Sequence, residues 1–106
     1  MDKQTREKAF DLFFNHIRKR PGMFIPGEDY EHVASFIVGM DVAYSGEWLK
    51  GFNEWAQERR GERSCLCWSA YLKETFEKPP ESEQERFGTA TEFLFEEIGR
   101  FLKRAR

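Results

Sequence analysis

The sequence predicts an all-α protein, a single compact bundle of about five helices over residues 1–106. Apolar residues recur at helical spacing along almost the whole chain, no run alternates β-branched and polar residues as a strand would, and short polar or Pro/Gly breaks separate the stripes. With 106 residues the chain has room for one domain. Eleven Phe and three Trp supply a core, so disorder is excluded on composition.

Phe10, Phe13, Phe14 and Ile17 fall at i, i+3, i+4 and i+7, which predicts a first helix over about 3–19, capped by Asp2 or Thr5. Val33, Phe36, Ile37, Met40 and Tyr44 repeat the pattern over 29–44. Phe36 and Met40 are therefore expected to be buried. Trp48, Phe52, Trp55 and Ala56 give a third helix over 46–60, with Ser45 as N-cap. Trp68, Tyr71, Leu72 and Phe76 give a fourth over 65–76, with Ser64 as candidate cap. Leu94, Phe95, Ile98, Phe101 and Leu102 give a fifth over 81–103, after the Pro79-Pro80 break and a capping box at Ser82 and Glu85. Gly39, Gly51, Gly88 and Gly99 fall inside these spans, where close helix crossings would account for them.

The stretch RKRPGMFI, Arg18 to Ile25, has a full structural reading. Arg20 precedes a proline and is pushed out of helical geometry, so the first helix ends near Lys19. Arg18, Lys19 and Arg20 then lie over its last carbonyls, where positive charge is favoured. Pro21-Gly22 suits the centre of a type II turn, and Met23, Phe24 and Ile25 are expected to plug the end of the bundle.

The same stretch resembles R-K-R-P-G-M-Y-I-G near the start of the ATPase domain of DNA gyrase B-type subunits. That resemblance implies a following helix with a Glu base and a magnesium-holding Asn. Here those positions hold Phe36 and Met40, both in an apolar stripe, and no glycine-rich lid follows. ATP binding is rejected, and no cofactor is expected. A second resemblance covers about residues 10–100. RKRPGMF (Arg18–Phe24), SFIVG (Ser35–Gly39), GFNEW (Gly51–Trp55) and CW (Cys67–Trp68) are similar to motifs of small all-helical bacterial immunity-type proteins. The resemblance implies a non-catalytic protein that binds and neutralises a cognate toxin domain, such as a nuclease.

Charge gives the surface for such a partner. The chain nets −2, but residues 27–63 carry eight acids and four bases. Glu47, Glu54 and Glu58 fall at i, i+7 and i+11 of the expected third helix, one continuous face, with Asp41 and Glu62 nearby. The bland reading is a solvated helix face. The functional one is a patch for the cationic cleft of a nuclease. Trp48, at the expected helix start, joins the patch as an exposed aromatic anchor.

Cys65-Leu66-Cys67 with His16 and His32 lacks zinc-ligand spacing, so no metal is expected. Two cysteines so close fit reduced thiols. No apolar run approaches the ~20 residues of a membrane span, and the charged N-terminus has no signal-peptide core, so a cytoplasmic protein without a membrane partner is expected. The negative charge and the missing helix-turn-helix signal argue against nucleic acid. A helical adaptor or regulatory domain, and less so a small hydrolase using scattered acids, remain as alternatives. The oligomeric state is not legible.

Overall fold

The computed structural model describes residues 1–78 and 87–104. The chain is all-α. Among the described residues, five α-helices, α1 (Lys3–Leu12), α2 (Tyr30–Ala43), α3 (Phe52–Glu58), α4 (Trp68–Glu77) and α5 (Ala90–Lys103), carry the fold, and no strand occurs. The helices belong to two compact units, Met1–Lys50 and Gly51–Arg106.

In the first unit, Asp2 caps α1, its carboxylate accepting the Thr5 N–H at 2.7 Å. α1 does not run evenly to residue 19. Phe13–Ile17 form a π-helical turn, closed by the Arg18 N–H on the Phe13 carbonyl at 2.9 Å. Phe13 and Ile17 are fully buried. Arg20 leaves the helix before Pro21, as the proline requires. The type II turn expected at Pro21-Gly22 is absent: Gly22 does not have positive φ, and Pro21–Met23 make one 3-10 turn. Nor do all three apolar residues plug the core. Ile25 is buried, whereas Met23 is 71% exposed and Phe24 39%.

Asp29 caps α2 through the His32 N–H, and its other carboxylate oxygen pairs with His32 Nδ1. Tyr30, Val33, Ala34 and Ile37 form the buried side of the helix. Phe36 and Met40 are only half-buried, because the buried stripe follows 30–33–34–37 and leaves them at its edge. The helix ends in a Schellman motif. The Gly46 N–H returns to the Asp41 carbonyl and the Ser45 N–H to that of Val42, with Ser45 left-handed at φ 60°.

That motif overturns the expected helix over 46–60. Ser45, Gly46 and Gly51 all have positive φ, so residues 44–50 form turns and Ser45 is no N-cap. The turns fold back on the first unit: an Asp41 carboxylate oxygen accepts the Leu49 N–H at 2.8 Å. Trp48 and Leu49 are thereby buried, Trp48 lying 5.9 Å from the Phe13 ring and 6.4 Å from that of Tyr44.

In the second unit, left-handed Gly51 starts α3 and Gly61, at φ 65°, follows its end. Gln57 is buried and its Oε1 accepts the Ser64 N–H at 2.8 Å. α4 starts at Trp68 rather than 65. Ser64 bonds the Leu66 N–H instead of capping the helix, and Cys67 takes the N-cap position. α5 starts at Ala90 behind Thr89, which accepts the Glu92 N–H at 3.1 Å. Gly88, at φ 78°, separates it from what precedes, so this glycine is not mid-helical. The expected Pro79-Pro80 break and the Ser82–Glu85 capping box lie outside the described residues. Phe52, Leu72, Phe93, Leu94, Ile98 and Phe101 form the core. Trp55 and Trp68 are half-buried around Phe52, at 6.0 and 5.5 Å between ring centres.

Candidate functional site

The helix expected to carry the acidic face is not continuous. Glu47 lies outside α3 and in the first unit, so it cannot share a helical face with Glu54 and Glu58. Its carboxylate is 2.6 Å from the Met1 amino nitrogen, and the hydrogen bond and charge of that ammonium hold it below the usual carboxylate range. Asp41 is half-buried and acts as the loop anchor described above. Trp48 is 5% exposed, so it offers no aromatic anchor to a partner, and its indole Nε1 has no hydrogen-bond partner among the described residues. Glu62 is tied inside the second unit. The Tyr71 hydroxyl donates to its Oε1 at 2.6 Å and Lys78 Nζ donates to Oε2 at 3.2 Å. These two bonds, Tyr71 first, hold the Glu62 carboxyl low. Of the six residues, Glu54 and Glu58 alone remain an exposed acidic pair, one turn apart on α3.

The surface that stands out is instead on the first unit. Among the described residues, the large apolar side chains most open to solvent are Met23, Phe24, Val38 and Val42, all within residues 23–42. Glu31, Ser35, Val38, Gly39 and Val42 follow one another along one exposed face of α2. Val38 is 42% exposed and Val42 69%. Gly39 sits mid-helix on this face, and a Cβ there would meet nothing within 4 Å. The close crossing expected of this glycine is therefore absent among the described residues.

Beside this face lies an open groove of about 430 Å³, lined by Ile25, Pro26, Glu31, His32, Ser35 and Phe36. Its walls are mainly apolar, with two ionisable residues at the edge. The His32 ring is held by Asp29, whose carboxyl is lowered: burial works against the charge, and the His32 side-chain and backbone hydrogen bonds outweigh it. Such a groove can seat an apolar side chain.

Sequence reasoning missed one charged cluster. Glu97 of α5 is almost wholly buried and pairs with Arg60 and, at 3.5 Å, with Arg59. A signal was available, because Glu97 stands four residues from both Phe93 and Phe101 on the core row of α5. No group of three His, Cys, Asp or Glu side chains able to hold a metal occurs among the described residues. No described helix is long and apolar enough to cross a membrane. No family model matches the chain, and no curated protein or solved structure is significantly similar to it.

Proposed function

We propose that this chain is a non-catalytic binding protein of the immunity type, which captures a toxin domain and blocks it. The observation that carries the binding role is the exposed apolar face of α2, Val38 and Val42 around Gly39, beside the groove at Ile25 and Phe36. Exposed apolar side chains gathered on one face, with an adjacent groove, are the usual mark of an interaction surface. The motif similar to immunity-type proteins leads into this surface. RKRPGMF ends at exposed Met23 and Phe24, and the next residue, Ile25, lines the groove.

The test is capture of a toxin encoded beside this gene. Purified wild-type chain is expected to bind that product and protect cells that express it. Val38→Asp and Val42→Asp are expected to weaken capture at least about tenfold, because each buries an unpaired charge in the contact. Unchanged capture by both variants removes the α2 face from the interface. Absence of protection removes the immunity reading.

A further inference from the structure

The two cysteines lie apart from the α2 surface, in the second unit. Cys65 and Cys67 are both exposed, and neither is in a disulfide. They flank Leu66 in the segment between α3 and α4, and residues 65–66 form a bend. Cys67 is the N-cap residue of α4, a ten-residue helix, with extended backbone at φ −68° and ψ 162°. Its Sγ lies 3.2 Å from the Ser69 hydroxyl oxygen. That hydroxyl first, then the Ala70 N–H, hold the thiol below its ordinary value, against the opposing effect of burial.

Cys65 supplies what a single thiol lacks. Two residues of fully extended chain span at most about 7 Å, and a bend shortens that span. Disulfides need Cα atoms roughly 4.4–6.8 Å apart, so the chain length between the two cysteines allows the pair to close. Both sulfurs are also open to a small oxidant in water.

We propose that Cys65 and Cys67 form a hydroperoxide-responsive thiol pair, in which Cys67 is oxidised first and Cys65 resolves it into an intrachain disulfide. The Cys67 thiolate attacks the outer oxygen of the hydroperoxide. An S–O bond forms, the O–O bond breaks, and the leaving alkoxide or hydroxide takes up a proton. Sulfur loses two electrons and the peroxide gains them, which leaves a sulfenic acid. Cys65 then attacks the Cys67 sulfur. The S–S bond forms, the S–O bond breaks, and the departing hydroxide leaves as water with the proton from Cys65. Closing the ring draws the Cys67 sulfur off the Ser69 hydroxyl, so the first turn of α4 loses that contact.

The experiment treats the reduced full chain with hydrogen peroxide near neutral pH, quenches with an alkylating agent and reads intact mass. The expected result is loss of both alkylatable thiols in a monomer lighter by two hydrogens, restored by a dithiol reductant. Cys65→Ser is expected to stop at a sulfenic acid that dimedone traps on Cys67. Cys67→Ser is expected to slow peroxide-driven thiol loss at least about tenfold, since the thiolate is the reacting form. Both substitutions are at exposed positions, and melting curves of the two variants confirm that the fold is kept. An unchanged rate in Cys67→Ser overturns the assignment of Cys67. Thiol loss only into disulfide-linked dimers, or only into stable sulfinic acid, overturns the pair.

Discussion

Arg60, just past the end of α3, closes an ion pair on Glu97 of α5, a carboxylate that is almost entirely out of water. Arg60 is well supplied there. It donates to the Ala56 carbonyl at 2.9 Å and lies 5.4 Å over the Phe93 ring. Arg59 reaches the same Glu97 oxygen while packing over Trp55. A buried pair of this kind is costly to break and cheap to replace, because breaking it leaves one charge in the interior. Glu97→Ala is expected to cost about 3–5 kcal/mol. The double variant Glu97→Leu, Arg60→Met should recover much of that loss. Urea denaturation of the two singles and the double decides it; a Glu97→Ala loss below about 1 kcal/mol means that Arg60 finds water instead.

The Glu62–Tyr71 bond gives an acid-side prediction. The folded pKa of Glu62 is depressed, so its contribution is present above the unfolded value and is lost as pH falls through the folded one. Tyr71→Phe removes the largest cause of that depression. The variant should be less stable than wild type near neutral pH, and the gap should narrow as pH drops below about 4. On the alkaline side Tyr71 is raised, by burial first and by the Glu62 bond second. Its contribution is full below the unfolded value near 10 and fades as pH rises further, so wild type should show an alkaline decline that the variant lacks. Melting temperature against pH for both proteins checks the two limbs, and parallel curves would show that the bond has no net effect.

Much of this fold was legible because burial leaves a periodic trace. Phe13 with Ile17, Val33 with Ile37, and Leu94 with Ile98 sit in the core at the spacing that predicted their helices. The breaks were less legible. Trp48, Phe52 and Trp55 keep helical spacing across Gly51, although Trp48 is buried in one unit and Phe52 in the other. Periodicity cannot register a left-handed residue, and Ser45 lacks the glycine signature of such a position. The π-helical turn at Phe13–Ile17 is silent for the same reason. The expected single acidic helix face went with that break, since three acids at helical spacing share a face only if the helix is continuous. The α2 face escaped because Val38 and Val42 fall off the apolar stripe of Val33 and Ile37, and a stripe marks what is covered rather than what is left open.

Ser45 itself offers a simple check on the Schellman motif. A β-carbon costs energy at φ 60°, and glycine does not have one. Ser45→Gly is expected to raise stability by about 0.5–1 kcal/mol, despite the looser unfolded chain. A loss of stability in chemical denaturation would mean that the serine hydroxyl contributes more than the strain.

If the partner is cationic, exposed Glu54 and Glu58 are expected to speed its approach. Glu54→Lys with Glu58→Lys should slow association at low salt and leave dissociation nearly unchanged. The difference should vanish as the screening length shrinks from about 10 Å at 0.1 M to about 3 Å at 1 M. Stopped-flow association at several salt concentrations reads this directly. Equal rates at every salt reduce the pair to a solvated helix face.

Gly39 separates the demands of folding from those of binding. A glycine in an exposed helix interior destabilises the helix by about 1 kcal/mol relative to alanine. Among the described residues a Cβ at Gly39 would touch nothing within 4 Å, so none of their contacts offsets that cost. Gly39→Ala is therefore expected to raise stability by about 0.5–1 kcal/mol. If the α2 face receives a partner, the same methyl stands in the contact between exposed Val38 and Val42. Small residues let another backbone approach closely, and an added methyl in a well-packed contact typically costs about 1–3 kcal/mol. The variant should then melt higher and bind toxin more weakly, by roughly five- to a hundredfold. A surface substitution outside the interface would leave affinity unchanged. Denaturation and titration calorimetry on one preparation of the variant supply both numbers, and a variant that is more stable and equally tight would place the interface elsewhere than on α2.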